Sequence, residues 1–432
     1  MPLTSLSPLA PDAGAPHVVD TTMFWSPTGG GVRRYLLTKG AWLRMHAGWR
    51  HTVLAPRAHG PGCADCGGLS LPLGAGYHLP IERRRAAETI AAHRPDLIEV
   101  GDPYRLAWAS LDAAQRCGVP AVAFCHSNAA AMAALWAGGE GPLARGAYRA
   151  AAAYLARVYR DFDLVLAPSR AMVRALRAMG IERAKHQPLG VDTHEFHPRR
   201  RDPAWRHALG VGPNRRVLLY AGRFAPEKHL QVLAEAVERL GPRYLLLAVG
   251  HGPTPPRGPQ VRVLPYEHGV RSLARIVASV DGFVHAGDQE TFGLGVLEAM
   301  ACGIPVAARA AGGLSELVAD GAGLGVPSNR VEDWAEAIAA LFSADRGPAL
   351  RLARERAEAH DWSVVLPTLK RRYEQLMSAH AAAAAQPEET QPCVLWHSGQ
   401  TASMAPPGGS PALRAGAPCM TSSFGTGTHE LP

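Results

Sequence analysis

The stretch Glu290-Thr-Phe-Gly-Leu-Gly-Val-Leu-Glu298 lies between two short apolar runs, at residues 282–285 and 305–308. Each run is bounded by polar, Gly or Pro residues and predicts a buried strand. The apolar spacing of residues 295–301 predicts a helix between them. Strand, helix and strand in this order are typical of a βαβ unit, whose two strands are parallel. The stretch therefore predicts an α/β fold.

The two glutamates of this stretch, Glu290 and Glu298, are separated by seven residues. The first falls in the loop after a predicted strand, and the second falls one turn into the predicted helix. Phe292, Gly293 and Leu294 fall at the helix N-terminus, where free N–H groups and the helix dipole favour a phosphate. Carboxylates accept hydrogen bonds from sugar hydroxyls. The pattern therefore predicts a site for a sugar joined to phosphate, although an acidic helix start alone is commonplace.

A second strand-to-helix loop carries two cations, in Tyr220-Ala-Gly-Arg-Phe-Ala-Pro-Glu-Lys-His-Leu230. A predicted strand, residues 217–221, precedes Arg223 and Lys228, and a predicted helix covers residues 230–240. Two cations above a helix N-terminus can neutralise a pyrophosphate leaving group as its charge develops. The alternative is a solvated charged loop, and we expect Lys228 to be exposed there with little packing to lose. Both motifs in one domain favour the phosphate site.

The same alternation of short apolar runs and helical patterns fills the rest of the chain, which predicts two Rossmann-like domains in series. Residues 188–198 show no period and separate the two as a linker. Ligands of such folds bind at the carboxyl ends of the strands, here in a cleft between the domains. The other predicted strands are residues 17–20, 96–100, 121–125, 164–167 and 244–249, and the other predicted helices are residues 32–47 and 146–159.

Length and composition exclude several classes of protein. The chain has 432 residues, about right for two domains plus extra segments. Its net charge of +8 suits anionic partners such as nucleotides, phospholipid surfaces or nucleic acid, without selecting one. No run reaches the roughly 18 apolar residues of a membrane span, and residues 1–16 lack the pattern of a signal peptide. We therefore expect a cytoplasmic protein.

Two further segments carry weaker signals. The seven cysteines form no paired framework, which suits a reducing compartment. Cys63 and Cys66, with His59 and His78 nearby, could ligate zinc, but a lone C-x-x-C in a Gly/Pro-rich loop is more often unliganded. From residue 386 the chain is rich in Pro, Gly and small polar residues and has no period, which predicts a disordered tail at 386–432.

The two strand-to-helix loops resemble the carboxyl-terminal domain of glycosyltransferase family 4, whose members are retaining enzymes of the GT-B fold. Arg223 and Lys228 match the diphosphate-binding pair of that family, and Glu290 and Glu298 match its E-x7-E motif. The resemblance spans about residues 17–380 and is closest in detail to bacterial lipid mannosyl- and sulfoquinovosyl-transferases. The other matching segments are residues 29–31, 95–99, 124–127, 189–198, 249–253 and 312–316.

The resemblance implies a division into an amino-terminal acceptor-binding domain, residues 17–195, and a nucleotide-sugar-binding domain, residues 196–360. Their parallel sheets would face each other across the cleft. The segment around Trp362 and Tyr373 resembles the family's terminal segment, so a helix at residues 361–380 would cross back onto the first domain. The two aromatic side chains offer apolar area to dock there.

The resemblance also assigns roles in donor binding. Glu298 would hold the ribose hydroxyls, and Glu290 would hold the hydroxyls of the donor sugar. Backbone amides of residues 292–294 would contact the phosphates and the sugar. Gly30 and Gly31 would let the amino-terminal loop approach the diphosphate closely, because they have no side chain.

For the reaction, His126 matches a family histidine that reaches the donor sugar near the reacting carbon. His126 and Glu290 are therefore the candidate catalytic residues, although a single histidine at a strand end is more often structural. Retaining members react on one face of the sugar, so the resemblance implies no protein nucleophile. It implies no metal either, because Arg223 and Lys228 supply the positive charge. Asp161-Phe-Asp163 has the spacing of a metal-binding D-x-D, but it precedes a predicted strand.

As a whole, the resemblance implies a hexosyltransferase that takes GDP-mannose or a UDP-hexose and a lipid or glycan acceptor, with no cofactor and no nucleic-acid partner. The alternatives are a nucleotide-sugar-binding protein without activity or another GT-B enzyme, such as an epimerase. The three arginines at residues 83–85 could hold the protein at the inner face of a membrane, or they could be a solvated helix face.

Overall fold

Two parallel sheets, each covered by helices, make up the part of the chain that the structure describes. The structure is a computed structural model, and it describes residues 14–26, 30–74, 76–342 and 345–385. The predicted tail at residues 386–432 and Gly29 of the glycine loop lie outside the described residues. The predicted fold class, α/β with two Rossmann-like sheets, is confirmed.

The amino-terminal unit is built on a seven-stranded parallel sheet in the order β3-β2-β1-β6-β7-β8-β9, beside an antiparallel pair, β4 and β5. Its elements are β1 His17–Thr21, α1 Gly31–Trp42, β2 Arg50–Ala55, β3 Cys63–Asp65, β4 Ser70–Gly74, β5 Tyr77–Pro80, α2 Arg83–Ala92, β6 Leu97–Val100, α3 Arg105–Cys117, β7 Ala121–Phe124, α4 Ala129–Trp136, α5 Gly141–Tyr159, β8 Leu164–Ala167, α6 Arg170–Ala178 and β9 Ala184–His186.

The carboxyl-terminal unit is built on a six-stranded parallel sheet in the order β12-β11-β10-β13-β14-β15. Its elements are α7 Pro203–Ala208, β10 Arg216–Arg223, α8 Leu230–Leu240, β11 Tyr244–His251, β12 Val261–Leu264, α9 Val270–Ala278, β13 Gly282–His285, α10 Leu294–Ala301, β14 Val306–Arg309, α11 Leu314–Leu317, β15 Leu324–Val326, α12 Val331–Ala340, α13 Gly347–Ala359 and α14 Trp362–Ala385.

The inner strands form where short apolar runs are buried on both faces, as is typical of parallel sheets. Every residue of β7, β8 and β13 is buried. Helix α1 ends at Trp42, five residues before the predicted helix end, and continues as a π-helical turn, Leu43–Ala47, that stops at Gly48 with φ 65°. None of the described helices combines the length and apolar content needed to cross a bilayer.

Helix α14 returns the chain to the amino-terminal unit. Its first residue, Trp362, donates its N–H to the Val191 carbonyl at 3.1 Å, and the Val191 N–H bonds the His360 carbonyl at 2.9 Å. The Trp362 side chain is buried at 3% exposure. Further along the helix, the Tyr373 hydroxyl donates to Glu99 Oε2 at 2.5 Å in the core of the first sheet. The long helix α14 therefore packs against the amino-terminal unit.

Candidate active site

The two motif-bearing loops leave neighbouring strands of the second sheet. Strand β10 ends at Arg223 and pairs with β13, which ends at His285. A 3₁₀ turn, Pro226–Lys228, follows the first strand, and α10 follows the second. Because the strands are parallel, both loops emerge at the same edge of the sheet.

A buried lysine joins the two loops. Lys228 Nζ donates to Glu290 Oε1 at 2.5 Å. The sequence-based expectation that Lys228 is an exposed loop residue is wrong, because the 3₁₀ turn directs it inward and leaves it 8% exposed. His285 Nε2 lies 3.2 Å from the same carboxylate oxygen. The Gly287 N–H donates to His285 Nδ1, so the ring proton belongs on Nε2 and faces Glu290.

These partners decide the charge of Glu290. Burial opposes its ionisation, but the Lys228 charge and the His285 hydrogen bond outweigh burial and hold the pKa of Glu290 well below its ordinary value. Glu290 is therefore a hydrogen-bond acceptor at neutral pH and not an acid. The Arg223 side chain is half exposed and donates to Glu227 Oε1 at 3.0 Å, beside the lysine.

The start of α10 is shaped by a glycine. Gly293 caps the helix with φ 102°, a left-handed conformation that side chains disfavour. A Cβ there would lie 2.3 Å from Leu314 Cδ2, so only glycine fits. Phe292 is buried, with its ring centroid 5.8 Å from that of His360, and Leu294 begins the helix. As at any helix start, the first backbone N–H groups of α10 have no hydrogen-bond partners within the helix.

The second glutamate of the motif has a partner from the other unit. Glu298 lies in α10 and is buried, and Arg34 of α1 contacts its carboxylate. Gly31, at the start of α1, packs on Leu294, since a Cβ on Gly31 would lie 2.7 Å from Leu294 Cδ1. Gly30 precedes the helix as its N-cap. The starts of the two helices thus meet. No motif or pattern in the sequence marked Arg34 as a site residue.

His126 lies just beyond β7, at the carboxyl edge of the first sheet. Its ring stacks on Phe124 at a centroid separation of 4.3 Å. Burial, reinforced by the nearby Lys39 charge, lowers the pKa of His126 to about 3, so the ring is neutral. Nε2 is buried and has no hydrogen-bond partner among the described residues. The Thr291 hydroxyl donates to the His126 carbonyl at 2.8 Å, which brings His126 next to Glu290.

A buried charge cluster below this edge was not predicted. Lys39 Nζ donates to Asp20 Oδ1 and Glu99 Oε1, both at 2.7 Å, and to the Tyr373 hydroxyl at 3.1 Å. Burial opposes ionisation of Asp20, but Lys39 and His51 outweigh it and lower the pKa of Asp20 to about 2. The cluster ties α1 and α14 to the first sheet. The sequence offers one weak indication of this cluster. Lysine is rare in the chain, and Lys39 is one of four lysines among 45 basic residues.

The cysteines and aspartates that the sequence offered as metal ligands have other surroundings in the structure. Burial raises the pKa of the Cys66 thiol to about 12, and both Cys63 and Cys66 are free. Asp161 pairs with Arg157 at 3.3 Å, and Asp163 accepts the Ala121 N–H at 2.8 Å. Within the described part of the chain, no three His, Cys, Asp or Glu residues are grouped as metal ligands.

Two of the three arginines at the start of α2 are held by acidic neighbours. Arg83 forms hydrogen bonds to Asp112, at 2.7 Å through Nε, and Arg84 pairs with Glu88 at 3.0 Å. All three arginine side chains are exposed. Their charge is therefore partly neutralised on the protein surface.

Comparison with known families gives two matches in series. Residues 30–192 match the family described as "Glycosyl transferase 4-like domain", and residues 215–344 match "Glycosyl transferases group 1". A GDP-mannose-dependent alpha-mannosyltransferase of Mycolicibacterium smegmatis is 34% identical over 322 residues, covering 73% of this chain and 81% of that protein. The sulfoquinovosyl transferase SQD2 of Arabidopsis thaliana is 28% identical over 320 residues, 68% of this chain and 59% of that protein.

Solved structures share the fold. Sucrose-phosphate synthase from Thermosynechococcus elongatus superposes with a TM-score of 0.67 at 22% identity, over 84% of this chain and 100% of that one. Anabaena HepE in complex with UDP and glucose gives 0.63 at 19% identity, over 84% and 99%. The two parallel sheets, together with the sequence relatives, define a nucleotide-sugar glycosyltransferase of the GT-B type. The chain belongs to glycosyltransferase family 4 and is a hexosyltransferase.

Proposed function

We propose that the protein transfers mannose from GDP-mannose to a lipid or glycan acceptor and retains the configuration at the anomeric carbon. The observation that carries the proposal is the Lys228–Glu290–His285 arrangement at the start of α10. A fixed carboxylate that can accept hydrogen bonds from sugar hydroxyls lies next to a cation that can bind a diphosphate, and this supports the proposal. The donor is chosen from the sequence relatives, several of which are named as GDP-mannose-dependent enzymes.

In this proposal the nucleoside diphosphate lies along the start of α10. Glu298 accepts hydrogen bonds from the ribose hydroxyls, and the backbone N–H groups of residues 292–294 bind the phosphates. The Arg223 side chain is half exposed, so it can turn towards the diphosphate. Gly30 and Gly31 bring the start of α1 close to the same phosphates without a side chain in the way.

The sugar lies between Glu290 and His126. The ionised Glu290 accepts from sugar hydroxyls, and the neutral His126 offers its buried Nε2 near the reacting carbon. The bond from that carbon to the diphosphate breaks, and a bond to the acceptor oxygen forms on the same face. The acceptor proton passes to the departing phosphate oxygen. Lys228 has three N–H donors, so it can hold Glu290 and still stabilise the leaving phosphate.

A donor panel tests the proposal directly. The melting temperature is measured with GDP, UDP and their hexose conjugates, and GDP-mannose should stabilise the protein most. Transfer of labelled mannose to lipid extracts then identifies the acceptor, and the anomeric configuration of the product tests retention. EDTA should leave transfer unchanged, because two cationic side chains replace a metal. Stabilisation by no sugar nucleotide would contradict the proposed site, and a UDP-hexose preference would correct the donor.

We also propose that the α4–α5 hairpin rests on an anionic bilayer. Trp136 ends α4 with 76% of its surface exposed, and Leu143 near the start of α5 is 74% exposed. Arg145 and Arg149 are exposed on the same helix. Tryptophan suits the bilayer interface, and arginines are attracted to anionic headgroups. The hairpin is a better candidate than the α2 arginines, two of which are paired with acidic residues.

Vesicle sedimentation tests the hairpin. Wild-type protein should bind phosphatidylglycerol vesicles and not phosphatidylcholine vesicles. The double variant Trp136→Ser, Leu143→Ser should lose most of this binding, while the control Arg83→Gln, Arg84→Gln should keep it. Equal binding by both variants would refute the hairpin as the contact surface.

A further inference from the structure

The first turns of α1 and α10 meet in register. Gly31 packs on Leu294, and Arg34 and Glu298 make contact one turn further along each helix. Each helix contributes its first residue and a residue about one turn later. Arg34 is three positions after Gly31 in α1, and Glu298 is four positions after Leu294 in α10. The ion pair therefore links the amino-terminal unit to the carboxylate that we assign to the ribose.

The pair is enclosed by protein. The Glu298 side chain is 5% exposed and the Arg34 side chain is 23% exposed. The guanidinium also lies 6.0 Å from the ring centroid of Phe196. Because little water reaches the carboxylate, a group that replaces the guanidinium must itself donate hydrogen bonds to Glu298. A ribose diol does so, but it is neutral.

Replacing a cation by a neutral diol leaves the guanidinium without a counter-charge. The diphosphate carries the negative charge of the donor and is joined to the ribose through one carbon, C5′. It therefore arrives beside the starts of α1 and α10 together with the ribose. A guanidinium forms paired hydrogen bonds with phosphate oxygens as readily as with a carboxylate.

We propose that Arg34 is a donor-binding residue that exchanges partners, from Glu298 in the free protein to the diphosphate of the bound donor. The proposal rests on the ribose role of Glu298 proposed above. It has a consequence for specificity. A nucleoside must separate the ion pair without replacing the lost charge, whereas a nucleoside diphosphate replaces it. Arg34 thereby makes the site select the diphosphate.

Calorimetry with matched ligands tests the exchange. Wild type is first tested with GDP and with UDP, and the base that it binds is chosen. The affinities of that nucleoside diphosphate and of the matching nucleoside (guanosine or uridine) are then measured for wild type, Arg34→Gln and Arg33→Gln. In Arg34→Gln the diphosphate affinity should fall about ten- to a hundredfold, the value of one charge-assisted hydrogen bond. The nucleoside affinity should stay equal or rise, because Glu298 is free.

Arg33 is the matched control. It belongs to the same helical turn, and its guanidinium lies 5.3 Å from the ring centroid of Trp25. Arg33→Gln removes the same charge and should leave the diphosphate-to-nucleoside affinity ratio at the wild-type value. A diphosphate-to-nucleoside affinity ratio in Arg34→Gln that equals the wild-type value overturns the proposal. An equal fall of this ratio in Arg34→Gln and Arg33→Gln also overturns it. If Arg34→Gln does not fold, Arg34→Lys should give a ratio below wild type, because it keeps the charge but loses the fork.

A failure of the underlying function is recognised separately. If Glu298→Ala leaves nucleoside affinity unchanged, the ribose role of Glu298 is wrong. The contribution of Arg34 to diphosphate binding is still measured by the diphosphate-to-nucleoside affinity ratio of Arg34→Gln. If wild type binds neither diphosphate, the donor site itself is refuted before any variant is compared.

Discussion

Lys228 has carboxylates on two sides, with Glu290 Oε1 at 2.5 Å and Glu227 Oε1 at 4.0 Å. Its substitution by Ala removes the cation that stabilises the leaving phosphate, so turnover should fall by roughly two to four orders of magnitude. Because the lysine is buried, the variant also leaves Glu290 without its main partner, and the melting temperature should fall. Steady-state kinetics and a melting curve measure both effects.

The conservative variant Lys228→Arg separates the two effects. It keeps the charge next to Glu290 and should recover the melting temperature more fully than the turnover, because a guanidinium fork does not fit a site for an ammonium. Wild-type turnover in Lys228→Ala would remove the phosphate assignment.

His126 makes stability depend on pH. Its pKa is lowered to about 3 by burial, with the Lys39 charge adding to it, whereas an unfolded histidine titrates near 6.5. Between these values the unfolded chain binds more protons than the folded one, so stability is lost as the pH falls through this range. From pH 6.5 to pH 5 the loss from this residue should be about 1–2 kcal/mol.

The variant His126→Gln isolates that contribution. The difference in unfolding free energy between pH 7 and pH 5, from urea titrations, should be smaller in the variant than in wild type. An identical pH dependence would show that His126 titrates normally and would remove the neutral imidazole from the proposed site.

Elements that are buried along their whole length could be predicted from the sequence. Strands such as β7 and β13 are short apolar runs, and they were predicted because both faces of a parallel strand are covered. Strand β2 was missed because His51 and Thr52 interrupt its apolar pattern. His51 is buried there, and its ring is satisfied by Asp20 on a neighbouring strand, which accepts its hydrogen bond.

Residues that touch across the cleft were the least predictable. The two glutamates and two cations of the site belong to recognisable local motifs. Arg34, by contrast, lies 264 positions from Glu298 in the chain, and nothing local marks it as a site residue. Such a pair is created by the packing of α1 against α10, which no periodicity specifies.

Helix α14 should be required for stability, whereas the chain beyond it should not. Trp362, Leu366, Leu369 and Tyr373 are buried. Removing everything from Trp362 onward uncovers their partners, and loss of a single buried aromatic already costs about 3–5 kcal/mol. A chain ending before residue 362 should therefore melt much lower or fail to fold, and one ending after Ala385 should keep its melting temperature and transfer rate. A harmless long truncation would contradict the packing of α14.

Across the whole described molecule, hydrogen bonds join the two sheet-bearing units. Glu316 of α11 accepts the backbone N–H groups of Arg170 and Ala171, at 3.1 and 2.6 Å, and so caps α6 of the other unit. Ser169 completes the cap by accepting the Met172 N–H at 3.2 Å. A carboxylate at a helix N-terminus is favourable because it complements the free N–H groups and the dipole.

Substituting Glu316 by Ala should therefore loosen the cleft without unfolding α6. A helix cap is worth about 0.5–2 kcal/mol, so kcat/KM for the donor should fall by roughly two- to thirtyfold if that energy is needed for closure. The radius of gyration from small-angle scattering should rise in the free protein. Ser169→Ala is the matched control, because it removes a cap bond within one unit and should lower the melting temperature while leaving the radius unchanged. If Glu316→Ala lowered only the melting temperature, with radius and kcat/KM at wild-type values, the contact would stabilise α6 alone and would not hold the units together.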